Sequence, residues 1–209
     1  MRDGFGFYAI LTDPVVGYAA LGKLLACRGV AASQLRMKGA ARREVLGVAR
    51  QLKEILDGEE SLFIVNDEVS VAREVGADGV HLGQEDEDYH RARSLLGQEA
   101  VIGLSTHNMK QVQRANALGP DYIGVGPVFP TQTKENPDPV LGPEAMGKLV
   151  QAAQVPAVAI GGIHAHNVGQ VREHGAKNFC AVGALNSSHE PEKALDELLK
   201  AWNRRQPAR

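Results

Sequence analysis

The chain has 209 residues, of which 44% are hydrophobic and 23% charged, with a formal net charge of −2. That length suits one domain with a sizeable core, and the composition lies outside the disordered and membrane-spanning regimes. So small a charge excludes a general attraction to nucleic acid or anionic membrane, and an anionic ligand must be held by local groups.

The first residues, Met1 to Gly6, show no charged stretch leading into an apolar run, and no segment is long enough to span a bilayer. The expectation is a cytoplasmic protein. Cys27 and Cys180 stand far apart without a partner motif, as reduced thiols of that compartment would.

The first strand is predicted at Phe7–Leu11 and the second at Ala31–Leu35, with a short helix of unassigned range between them. Arg42–Leu56 places Val45, Leu46, Val48, Ala49, Leu52, Ile55 and Leu56 on one face of a helix. Strands at Leu62–Val65, Gly79–Leu82, Val101–Leu104 and Tyr122–Val125 then alternate with helices at Val69–Val75, Tyr89–Leu96 and Met109–Leu118. The remaining units are helix Pro143–Ala153, strand Ala157–Ile160, helix Ala165–His174, strand Asn178–Val182 and helix Glu192–Trp202. The strands are short and hydrophobic on both faces, as a parallel sheet covered by helices requires. Gly76, Gly119 and Gly175 fall where a helix ends and a strand begins, suited to a left-handed cap.

Eight strand–helix units fit an open doubly wound sheet or a closed barrel. Even spacing, no Gly-x-Gly-x-x-Gly after the first strand, and polar residues after nearly every strand favour a (β/α)8 TIM barrel. It forms a single domain over residues 1–209, with 203–209 as a frayed tail. The one long connection, Gly126–Gly142, is of a length that is usually functional or mobile.

In a barrel the strand C-termini share one mouth. Gln34, Arg36 and Lys38 alternate onto one side of the second strand's end, and Asn66-Asp67, His81 with Asp86, and Ser105-Thr106-His107 follow the next three strands. Asp67 and Asp86 beside Arg36, Lys38 and Lys134 suit a Mg²⁺–pyrophosphate complex, because Mg²⁺ takes one or two carboxylates and fills its other positions with water and phosphate oxygens. Gly161-Gly162-Ile163 and Gly183-Ala184 fit either a second anion site at the seventh and eighth strands or tight turns that need glycine anyway. His164-x-His166 reads as a surface pair at a helix start, and no His/Cys/Asp spacing matches a zinc site.

These residues resemble the thiamine-phosphate synthase family. The matching segments are Gln34-Leu35-Arg36-x-Lys38-Gly39, Asn66-Asp67, Gly79 through Asp86, Gly103 through His107, Gly124-x-Gly126-Pro127-Val128-Phe129-Pro130-Thr131-x-Thr133-Lys134 and Ala159 through Ile163. The resemblance implies Mg²⁺-assisted, dissociative condensation of a hydroxymethylpyrimidine pyrophosphate with a phosphoethyl-thiazole, giving thiamine phosphate and pyrophosphate. It implies Asp67 and Asp86 as metal ligands, and Arg36, Lys38, Asn66, Ser105 and Lys134 as pyrophosphate contacts, Lys134 on a closing loop. Gln34 and His81 would hold the pyrimidine; Thr131, Thr133, Gly162, Val182 and Gly183 would hold the thiazole phosphate.

The chain departs from the family at Ser70, Gln132 and Gly183, where an acid, a proline and a serine are usual. A thiazole tautomerase on the same scaffold would need a histidine base where this chain has Pro127, and a precursor-binding paralogue without activity would not need the cation set. Partners are small-molecule substrates, with no nucleic acid or membrane. An apolar strip on an outer helix would fit a homodimer.

Overall fold

The computed structural model describes residues 3–131, 133 and 138–204. Its strands are β1 (Gly6–Leu11), β2 (Ala32–Leu35), β3 (Leu62–Asn66), β4 (Gly79–Leu82), β5 (Val101–Thr106), β6 (Tyr122–Val125), β7 (Ala157–Ile160) and β8 (Asn178–Cys180). They pair in parallel and in chain order, and β8 closes onto β1 to complete a barrel. The helices are α1 (Tyr18–Cys27), α2 (Arg42–Leu56), α3 (Val69–Val75), α4 (Tyr89–Leu96), α5 (Met109–Leu118), α6 (Gly142–Ala152), α7 (Val168–Glu173), α8 (Gly183–Asn186) and α9 (Pro191–Asn203).

Strand alternation sorts the apolar residues into two cores. Phe7, Ala9 and Leu11 of β1, Phe63 and Val65 of β3, and Val80 and Leu82 of β4 pack with the helices around the barrel. Val45, Ala49 and Leu52 of α2 are among the side chains that meet them, the valine and the leucine each stabilising the fold by roughly 1.5–3 kcal/mol. Tyr8, Ile10, Ala32, Tyr122, Val158 and Cys180 fill the barrel interior. The same alternation sends Gln34, Asn66, His81 and Ser105 inward near the C-terminal ends of β2 to β5.

Pairing extends two strands beyond their apolar runs. Asn66 pairs with His81, and Ser105 and Thr106 pair with Gly124 and Val125, so regular ladder structure itself carries polar residues to the mouth. The turns entering β4 and β6 share a device. Gly76 and Gly119 end their helices at φ 66° and 67°, and the following Asp78 and Asp121 accept the backbone N–H of Phe63 and Ile102 on the preceding strand at 2.7 and 2.8 Å. These bonds satisfy strand-start donors that the ladder leaves over.

Several boundaries differ from expectation. β8 stops at Cys180 and is followed by the single-turn α8. α7 begins at Val168, not Ala165, because the Asn167 amide ties residues 162–167 into a turn. Its Oδ1 accepts the His164 N–H at 2.8 Å and its Nδ2 donates to Gly162 O at 2.9 Å. The exposed large hydrophobics Val15, Leu95, Met109 and Val140 lie in four separate segments, so among the described residues they form no single helix strip. No described helix is long and apolar enough to cross a membrane.

Candidate active site

A cavity of about 730 Å³ opens at the C-terminal mouth. It gathers Gln34, Arg36, Asn66, His81 and Ser105 from β2 to β5, Thr131 and Thr133 from the loop after β6, and Gly162, Val182 and Gly183 from the ends of β7 and β8. Lys38, Asp67 and Asp86 do not line it; they form a cluster beside it. Lys134 and Gln132 lie outside the described residues.

The cluster begins at the end of β3. Asp67 sits at φ 62°, a left-handed conformation that aspartate tolerates better than most residues because its side chain bonds locally. A tight turn holds it there: its N–H donates to His81 O at 2.9 Å, and the Glu68 N–H donates to Asn66 O at 2.7 Å. Lys38 Nζ lies 3.2 Å from Asp67 Oδ2. Asp86 is anchored by the Gly83 N–H, which donates to its Oδ2 at 2.7 Å. A β-carbon at Gly83 would stand 2.5 Å from that same oxygen, so only glycine leaves the carboxylate its place. Burial and the facing Asp86 carboxylate push the Asp67 pKa up to about 6. For Asp86, desolvation is outweighed by the hydrogen bond with Asp67, the Gly83 N–H and the Lys38 charge, and its pKa is lowered. Below that pH the two carboxylates share one proton, held by Asp67, and above it both are charged.

Inside the barrel a hydrogen-bond chain runs from β2 to β5. Gln34 Nε2 donates to the Tyr8 hydroxyl at 3.1 Å, the Tyr8 and Tyr122 hydroxyls are 2.7 Å apart, and Tyr122 Oη is 3.0 Å from His81 Nδ1. His81 Nε2 stands 2.9 Å from Ser105 Oγ. Burial raises the pKa of both phenols and keeps them protonated. With the amide nitrogen donating, the Tyr8 proton passes to Tyr122 and the Tyr122 proton to His81 Nδ1. The ring hydrogen then sits on Nε2 and points at Ser105 Oγ, which leaves the serine's own proton to be donated. Glycine at 103 makes this packing possible, since a β-carbon there would lie 2.1 Å from Tyr122 Cζ.

Tyr8 and Tyr122 were not singled out from the sequence, although inward alternation on the first and sixth strands was the available signal. His107 Nδ1–H donates to Gly126 O at 2.6 Å, and its Nε2 lies 3.2 Å from Asp138 Oδ2.

At the opposite side of the ring, Gly161 and Gly162 adopt φ 103° and 61°. A β-carbon on Gly162 would meet Pro130 O at 2.4 Å, so the turn after β7 presses directly against the loop after β6. His164 follows in the same turn. Contrary to the surface pair expected, it is half-buried and lines the cavity, while His166 is exposed. The two rings stack with centroids 5.5 Å apart and planes 9° from parallel. Burial and the neighbouring His166 lower the His164 pKa. No group of three or more His, Cys, Asp or Glu among the described residues is arranged to hold a metal ion.

The family model described as thiamine monophosphate synthase matches residues 12–185. A thiamine-phosphate synthase of Chlamydia caviae is 38% identical over 206 residues, covering 95% of this chain and 97% of the relative. One from Dictyoglomus thermophilum is 43% identical over 177 residues, covering 83% and 79%. The solved thiamine phosphate pyrophosphorylase of Pyrococcus furiosus superposes with a TM-score of 0.82 at 33% identity, covering 96% of each chain.

Proposed function

The chain belongs to the thiamine monophosphate synthase family, and we propose that it works as a cytoplasmic thiamine-phosphate synthase. As such a transferase it joins hydroxymethylpyrimidine pyrophosphate to the thiazole phosphate and releases pyrophosphate. The observation that carries the residue assignments is the pair Asp67–Asp86, faced by Lys38 and set beside a cavity whose far side is the glycine turn at Gly162 and Gly183.

The pair fits a divalent cation. Above the Asp67 pKa of about 6 the pair carries two partly desolvated negative charges that one lysine neutralises only in part, and two carboxylates with open positions suit Mg²⁺. Held by Asp67 and Asp86, Mg²⁺ would neutralise charge developing on the departing pyrophosphate.

The chain's own groups do the rest. Arg36, Lys38 and Asn66 hold the pyrophosphate, and Ser105, its hydroxyl proton free of His81, donates to a leaving-group oxygen. Lys134 adds a further cation from the loop after β6. Gln34 and His81 orient the pyrimidine above the buried tyrosines. Thr131, Thr133, Gly162, Val182 and Gly183 hold the thiazole phosphate on the β7–β8 side, where the ring nitrogen is positioned to capture the pyrimidine-methyl cation. No strong protein base is required; orientation and anion stabilisation supply the catalysis.

The test is a discontinuous assay of the purified protein with both phosphorylated substrates, with Mg²⁺ and with excess chelator. Metal-dependent formation of thiamine phosphate and pyrophosphate in equal amounts supports the reading. Absence of both products would overturn it, and isomerisation of the carboxylated thiazole would then put a tautomerase in its place.

A further inference from the structure

We propose that His164 is a direct ligand of the thiazole phosphate and a determinant of specificity for the phosphorylated thiazole. This rests on the synthase reading above, in which the β7–β8 side of the mouth receives that group.

The turn after β7 is built to deliver this side chain. Asn167 accepts the His164 backbone N–H and donates to Gly162 O, which spends the turn's own polar groups and fixes the backbone that carries the ring. The ring lines the same cavity as Gly162, Gly183 and Ser187. A β-carbon built on Gly183 would meet only His164 Cε1, at 4.0 Å. The imidazole edge and the Gly183 backbone are therefore near neighbours on the cavity wall, so one anion in the cavity can reach both. Stacking on His166 sets the plane of the ring.

Neither ring nitrogen of His164 has a hydrogen-bond partner among the described residues, unlike the ring nitrogens of His81 and His107. No buried side-chain nitrogen or oxygen among the described residues lacks a partner, so these nitrogens face the solvent of the cavity, where a ligand oxygen can take the place of water. A metal is a poor occupant, since among the described residues no cluster of suitable ligands surrounds it. An anion fits: the imidazole has an N–H to donate, and the cavity wall here is glycine backbone, which admits close approach. In the ring of eight, β7 and β8 lie opposite β3 and β4, so this contact serves the second phosphate, not the pyrophosphate beside Asp67.

The experiment is calorimetric titration of the full chain with the thiazole phosphate and, separately, with the unphosphorylated thiazole alcohol, for wild type, His164→Ala and His164→Gln. Steady-state kinetics with both substrates run in parallel. His164→Ala is expected to weaken the phosphate ester roughly tenfold or more, as loss of a hydrogen bond to a charged group does, and to leave the alcohol within about twofold. His164→Gln, whose amide can donate in its place, recovers part of the loss. KM for the thiazole phosphate rises and KM for the pyrimidine pyrophosphate does not. Equal binding of the ester by wild type and His164→Ala overturns the inference, as does equal weakening of ester and alcohol, which would mark a packing effect. If the wild type makes no thiamine phosphate but the selective loss of ester binding persists, the synthase reading falls and the phosphate contact stands. If synthesis is robust and the loss is absent, the reverse holds.

Discussion

The Tyr122 hydroxyl lies 3.0 Å from His81 Nδ1, and this contact decides which way the Ser105 hydroxyl proton points. Remove it and His81 no longer has a fixed tautomer, because a ring nitrogen that accepts from Tyr122 can otherwise carry the proton itself. Tyr122→Phe is therefore expected to lower kcat/KM about tenfold, the scale of one lost buried hydrogen bond. Nitrogen NMR of the His81 ring checks the cause: a mixture of tautomers is expected in the variant and the Nε2–H form alone in wild type. An unchanged tautomer with full activity would dismiss the chain as packing.

Asp67→Asn separates metal binding from folding. Asparagine accepts the left-handed backbone at φ 62° as readily as aspartate, and it removes one of two facing carboxylates. Synthesis should nearly vanish in excess Mg²⁺, while thermal stability in chelator stays equal to wild type or rises. Near-normal turnover would remove Asp67 from the metal site; a collapse of stability would recast it as a structural residue.

The raised pKa of Asp67 gives the site a pH dependence. Its folded pKa is about 6 against an ordinary 3.8, so the folded chain binds this proton more tightly than the unfolded chain does. In metal-free protein the stabilisation is complete below the ordinary carboxylate range and is lost as pH rises through 6. A divalent cation must displace the same proton, so below pH 6 its apparent affinity is expected to fall roughly tenfold per pH unit. Calorimetry in buffers of different ionisation enthalpy measures the proton released per Mg²⁺ bound. The dependence should disappear in Asp67→Asn; a flat profile in wild type would mean the pair holds no shared proton.

Much of this mouth was legible because it depends on short-range rules. Gln34, His81 and Ser105 sit within two residues of a strand's end in alternating register, and a parallel barrel turns that register into a common direction. Tyr8 and Tyr122 follow the same alternation but lie deeper, on strands 114 residues apart, so they read as apolar core until barrel closure brings their hydroxyls together. α1 had no assigned range because Tyr18–Cys27 is apolar almost all round and shows no polar stripe. His164 was misjudged for another reason. The run from Ala165 has helical spacing, yet the Asn167 amide bonds divert the chain into a turn and bring the ring inward. Lys134 lies outside the described residues, and its place in the cation set rests on the family pattern.

Gly83 offers a way to displace a proposed metal ligand without altering any charge. Its N–H holds Asp86 Oδ2 at 2.7 Å, and an added β-carbon would come within 2.5 Å of that oxygen, well inside contact distance. The carboxylate is the end of a short side chain and can swing away, so the fold should survive Gly83→Ala at a cost of about 1–3 kcal/mol. Swinging it away separates Asp86 from Asp67 and widens the site. The expected result is a higher Mg²⁺ requirement, with half-maximal rate reached only at several-fold greater metal concentration, and a partial recovery of rate when Mn²⁺, which accepts the same oxygen ligands, replaces Mg²⁺. Titrating activity against each metal in wild type and variant checks this. Superimposable curves for the two proteins would show that the position of Asp86 does not govern metal use.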